Sequence, residues 1–94
     1  MSYFSTRIVL HTWATVEDYS VLHNAMAKNG FSRTITASDG RTYQLPPAEY
    51  VLIGNYKLND VLGWADSAAL QTGKRDSVVV TEGTAMSWRG LKPL

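Results

Sequence analysis

The chain of 94 residues contains no cysteine. That excludes a disulfide framework and thiolate metal sites, and it suits a reducing cytoplasm, the localisation expected here. Histidine is nearly as scarce, with only His11 and His23. They fall on different elements without a His-x-x-x-His or Glu-x-x-His companion, so no metal site is expected. Apolar runs are short, so no membrane insertion is expected. The opening "MSYFSTRIVLHTW" has one basic residue and a strand-like pattern, unlike a signal peptide. No glycine-rich phosphate loop and no Gly-x-Ser-x-Gly elbow occur, and no cofactor is expected. Excess charge is lacking too: nine Lys and Arg face eight Asp and Glu, a net +1. A protein that grips nucleic acid by bulk charge would be far more basic, so any such contact must be local.

What is present is a foldable composition. With 45% hydrophobic and 18% charged residues, positions 1–94 read as a single folded domain. "YFSTRIVLHTW" alternates as a strand, placing Phe4, Thr6, Ile8 and Leu10 on one face and Ser5, Arg7, Val9 and His11 on the other. "ATVEDYSVLHNAMAKNG" then takes a helical period, with Thr15 and Asp18 as a capping box and Gly30 as the stop. Its stripe is Val16, Tyr19, Leu22 and Met26. "FSRTITAS" and "RTYQL" flank Asp39-Gly40 as a hairpin with a two-residue turn, which sets Ser38 opposite Arg41 and Thr36 opposite Tyr43. Pro46-Pro47 interrupts pairing before "AEYVLIGN" resumes as a strand that is apolar on both faces and therefore central.

"YKLNDVLGWADSAALQTG" is a second helix whose stripe includes Leu58, Val61, Leu62, Ala65, Ala69 and Leu70. Asn55 or Asn59 caps it, and Gly63 within it marks either close packing or tolerance. "DSVVVTEG" is a further strand. Residues 83–94, ending "TAMSWRGLKPL", form a short last strand or an ordered tail. Met86, Trp88 and Leu91 are too apolar to dangle. The tail is expected to pair with the preceding strand or to cross to a second subunit, giving a homodimer through the C-terminal strand. The order β-α-β-β-α-β, with two helices on one face of an antiparallel sheet, is that of the ferredoxin-like fold, an α+β architecture. Many unrelated functions share it.

Three functional classes fit these residues. RNA hydrolysis needs little, because the substrate supplies its own 2′-hydroxyl nucleophile. His11 at the end of the first strand, with Arg7 on the same face, could supply a base and a cation; equally, both could be ordinary residues of a solvated sheet face. RNA binding would draw on Arg7, Arg33 and Arg41 for phosphates, and Tyr43, Tyr50, Trp13 and Trp88 are scattered candidates for stacking. The alternative is a non-enzymatic interaction or structural module. A metabolite-binding regulatory domain has no motif for or against it.

The segments "RIVLH", "DYSVLHNAMAKNGFSRTI" and "DGRTYQLPPAEY" resemble the small bacterial GhoS-like antitoxin family, in element order and in "GFSRTI" and "LPPAEY" above all. The resemblance implies a ferredoxin-like fold similar to CRISPR adaptation nucleases. It also implies an RNA-engaging protein acting as an endoribonuclease on a toxin messenger. Those nucleases place an aspartate near the end of the first strand. Here the region reads "VLHTW", so any cleavage is expected to be metal-independent.

Overall fold

A computed structural model describes all 94 residues. The elements are β1 (Ser2–Leu10), α1 (Val16–Lys28), β2 (Thr34–Thr36), β3 (Thr42–Gln44), β4 (Glu49–Gly54), α2 (Leu58–Leu70) and β5 (Asp76–Gly83). β1 lies at the centre of a three-stranded antiparallel sheet, β4-β1-β5. A Ser32–Val51 bridge on the far side of β4 joins the β2-β3 hairpin to it, so the order is that of a ferredoxin-like βαββαβ sheet. No helix is long and apolar enough to cross a membrane.

Alternation in β1 decides the two faces of the sheet. Phe4, Thr6, Ile8 and Leu10 are buried beneath the helices with Leu22 and Met26 of α1, Val61, Ala65, Ala68 and Ala69 of α2, and Tyr50 and Leu52 of β4. The small residues of α2 let its backbone lie close to the sheet. A second cluster forms on the opposite face: Val51 of β4 with Ile35 and Leu45, covered by Tyr3, Tyr43, Met86, Trp88 and Leu91. β4 thus buries residues on both faces, as its unbroken apolar run requires.

α1 begins as its sequence dictates. Thr15 accepts from the Asp18 amide at 3.1 Å, and Asp18 Oδ2 accepts from the Thr15 amide at 2.8 Å, a reciprocal capping box. Its stripe is narrower than expected, because Val16 sits in the first turn and is 80% exposed. α2 departs from expectation at its start: Lys57 is the N-cap and no side chain caps it. Leu58, Leu62 and Leu70 lie toward solvent, and its buried stripe is mostly alanine. A Cβ built on Gly63 meets nothing within 4 Å, so tolerance, not close packing, accounts for this glycine. Gly63→Ala is therefore expected to stabilise the fold by about 1 kcal/mol, raising Tm by roughly 4–8 °C in a thermal melt.

Two expectations about the hairpin and tail are corrected. The observed pairs are Thr34 with Gln44, Ile35 with Tyr43 and Thr36 with Thr42, one residue out of register from a two-residue Asp39-Gly40 turn. The Ala37 amide donates to the Arg41 carbonyl at 2.7 Å and Gly40 to Ala37 at 2.9 Å, closing a three-residue loop with Gly40 at φ 88°. This is the turn-plus-bulge alternative for hairpins, and the glycine supplies its left-handed position. The slip places Ile35 in the second cluster. The tail pairs not with β5 but with β3, through Gln44 N to Lys92 O at 2.9 Å and Leu94 N to Thr42 O at 3.0 Å. Met86, Trp88 and Leu91 pack on the chain's own outer face.

Candidate functional site

The four residues singled out from the sequence do not converge. Arg7 projects from the outer face of β1, pairing with Glu49 at 3.7 Å. Arg41 lies at the hairpin tip against Asp39 at 3.9 Å. Both pairs are exposed, of a kind worth little in stability, but each gives its cation a local anion. His11 follows the last residue of β1, its Nε2 2.7 Å from Ser77 Oγ on β5. Only Arg33 borders a substantial cleft, and it takes part in no ion pair.

That cleft, about 480 Å³, lies between the start of α1 and the turn before β4, lined by Ala14–Val16, Tyr19, Ser20, His23, Arg33, Pro47 and Ala48. Its chemistry centres on His23, which the sequence offered no reason to prefer over His11. His23 sits one turn beyond Tyr19 on α1, and its Nδ1 is 2.6 Å from Tyr50 Oη. Tyr50 points inward from β4 and is 1% exposed. Tyr19 Oη accepts from the Leu10 amide at 3.1 Å, tying α1 to the end of β1. The His23 ring stands 6.3 Å from that of Tyr19 and 5.8 Å from that of Tyr50. Its position is therefore set by packing on both sides.

Electrostatics follow from this setting. Burial holds His23 below the usual histidine value, and the Arg33 charge lowers it further. Burial pushes the Tyr50 phenol up to about 12, against the opposing influence of Arg33. At neutral pH the site is thus a neutral imidazole, a protonated phenol and a guanidinium. One nitrogen of a neutral imidazole donates and the other accepts, so the bond to Tyr50 determines which state Nε2 is in. The buried phenol is protonated and has Nδ1 as its partner: when its O–H donates there Nε2 carries the hydrogen, and when Nδ1–H donates instead Nε2 carries a lone pair. No carboxylate lines the cleft, so the groups it can apply are an imidazole, a donor or a modest base according to its tautomer, and a fixed cation.

The walls carry strain. The Glu49 amide donates to the Pro46 carbonyl at 3.1 Å, closing a turn in which Ala48 has φ 69°. That is the type II position that glycine ordinarily takes. Thr12 and Trp13, immediately before the cleft, also have positive φ, 46° and 60°. Such residues cost of order 1–3 kcal/mol each and gather at functional sites. Their effect here is to present Trp13 almost wholly to solvent, 88% exposed, next to cleft residue Ala14. Of the other stacking candidates, Tyr50 is buried, and Tyr43 packs against Trp88 with centroids 5.8 Å apart.

A pH signature follows. Because folding lowers the His23 pKa, the unfolded chain takes up its proton first as pH falls. The stabilising contribution is complete above about 6.5, the unfolded value, and is lost as pH drops through the folded value. Urea unfolding between pH 8 and 5 should show this decline. A His23→Gln variant should show a flatter profile over the same range.

Comparison of the chain with protein-family models, curated proteins and solved structures gives no match.

Proposed function

We propose that this domain engages single-stranded RNA at the α1–β4 cleft and cleaves it without a metal ion, as a member of the GhoS-like antitoxin group. The observation that carries the reading is the juxtaposition of His23 and Arg33 in one cleft, with Tyr50 buried behind the imidazole and an exposed tryptophan beside the opening. The segments that carry the family resemblance support it as well. "DYSVLHNAM" supplies Tyr19, Ser20 and His23, "GFSRTI" supplies Arg33, and "LPPAEY" supplies Pro47, Ala48 and Tyr50, so distant stretches of chain meet at this cleft.

In this reading Trp13 stacks on a base, a contact every base can make and that only unpaired strands offer. Arg33 pairs with the adjoining phosphate. In the tautomer whose Nδ1–H donates to Tyr50, His23 Nε2 takes the proton of the 2′-hydroxyl as its oxygen attacks phosphorus. The P–O5′ bond breaks, Arg33 balances the charge on the phosphoryl oxygens, and solvent protonates the departing 5′ oxygen. The products are a 2′,3′-cyclic phosphate and a 5′-hydroxyl end. Tyr50 is a positioning residue that orients the imidazole.

The test is binding and cleavage of short fluorescent single-stranded RNAs in EDTA. Expected are binding with a shallow salt dependence, about −0.7 for each phosphate contacted, and cyclic-phosphate ends. No binding to any RNA at low salt would refute the proposal. Binding without cleavage would retain the interface and remove the catalytic role of His23.

A further inference from the structure

The sheet has one open side. Across β4 it is continued by the Ser32 bridge and the hairpin, whereas β5 pairs only with β1. The His11 amide donates to the Arg75 carbonyl at 2.7 Å, so odd-numbered residues of this segment turn their backbone groups toward β1. Asp76, Val78, Val80 and Glu82 therefore turn theirs outward. Between the two acidic ends lies the uncharged run Ser77–Thr81, with Val79 61% exposed. An uncharged edge of this kind is a template for pairing unless a charge or a bulge blocks it, and none lies within the run.

Above this edge a groove between α2 and β5, about 440 Å³, is lined by Asn59, Leu62, Gly63, Asp66, Asp76 and Val78. Leu58 and Leu62 are each 40% exposed. Leu62 and Val78 thus link strand edge to helix by an apolar contact, with Asp66 and Asp76 beside it.

We infer that β5 pairs antiparallel with β5 of a second copy of this chain, about a two-fold axis through Val78. Charge selects this register. Antiparallel pairing that keeps all helices on one side of a continuous sheet must oppose residues of equal parity. Centring on Val79 sets Asp76 against Glu82 of the second copy, two like-charge pairs across the axis. Centring on Val80 sets Val78 against Glu82 and Asp76 against Thr84, and forms no ion pair. Centring on Val78 brings Lys74 of each copy level with Glu82 of the other. It also opposes Asp76 with Val80 and aligns every outward backbone group from Asp76 to Val80 for hydrogen bonding. Lys74 reaches Asp18 at 3.7 Å and Glu82 accepts from Ser2 Oγ at 2.7 Å within the chain, so on pairing each exchanges that partner for one across the axis. The contact is isologous and closes at two copies, because the other side of the sheet is occupied.

The absence of native cysteine permits a clean test. Residues facing each other in a hydrogen-bonded antiparallel pair have Cα atoms about 5.5 Å apart, within disulfide range. Val78→Cys should therefore cross-link to a dimer under mild oxidation, ahead of Val79→Cys and Val80→Cys. Light scattering of the unmodified protein should show a monomer–dimer equilibrium. Lys74→Glu and Glu82→Lys should each weaken it about tenfold or more, since both place like charges opposite each other. Mixing the two single variants should restore a dimer, as each then supplies the charge the other lacks. A monomer at every concentration would overturn the inference. So would open-ended assembly, preferential cross-linking at Val79 or Val80, or failure of the mixture to recover. None of these readouts involves RNA, so the outcome is independent of the proposed function.

Discussion

His23→Ala is expected to slow RNA cleavage by about 10²–10⁴-fold, the usual contribution of a positioned general base, while leaving affinity nearly unchanged. Arg33→Ala should act differently. It removes the one cation of the cleft, so affinity should fall by roughly 10–100-fold, the equivalent of a charge-assisted hydrogen bond of about 1.5–3 kcal/mol. The salt dependence of binding should shrink by about 0.7 at the same time. Arg33→Lys should recover only part of the loss, because the point charge survives and the planar fork does not.

The pH profile separates a base from a scaffold. Arg33 lowers the His23 pKa, so removing it should move the acid limb of the cleavage profile to higher pH. Tyr50→Phe should keep the packing, lose the 2.6 Å bond to Nδ1, and reduce cleavage more than binding. Arg7→Ala and Arg41→Ala remove cations that stand away from the cleft and already face Glu49 and Asp39. They should change little. Cleavage by His23→Ala at the unmodified rate would eliminate the assignment of His23. Equal losses from Arg7→Ala and Arg33→Ala would move the binding surface away from the cleft.

The second large effect is on stability, and it sits in the tail. Trp88→Ala should destabilise the fold by about 2 kcal/mol, below the 3–5 kcal/mol of a fully buried tryptophan because this one is partly exposed. In a domain of this size that is a fall in Tm of about 10 °C. The reason is the second apolar cluster: the tail covers Val51, Ile35 and Leu45, and the Trp88 ring closes over Tyr43. Trp13→Ala is the matching control. Trp13 is almost wholly exposed, so stability should stay within about 0.5 kcal/mol while RNA affinity falls. A Trp88→Ala protein that melts with the unmodified chain would show that the tail is not part of the folded core.

The GFSRTI and LPPAEY segments illustrate how sequence and tertiary structure divide the answer. Local chemistry was legible wherever a rule acts over a few residues. The β1 alternation, the Thr15–Asp18 box, the helix stop at Gly30 and the two-sided burial of β4 all follow from neighbouring positions, and their order is that of a ferredoxin-like sheet. The hairpin register was not legible, because Asp39-Gly40 serves two loop types, and burial of Ile35 decides between them. Nor was the tail's place, since an apolar segment shows that it needs cover without showing where.

The cleft belongs entirely to the tertiary level. His23 and Tyr50 are 27 positions apart, and only the stacking of α1 on β4 brings them to 2.6 Å. Their altered proton affinities come from that burial and from Arg33, conditions that no isolated segment possesses. By itself the sequence determined which elements form and which faces they bury, because propensity, periodicity and capping are local. Only the folded chain decided which of its two histidines gains a phenol and a cation for neighbours, because that depends on contacts between segments far apart in the chain.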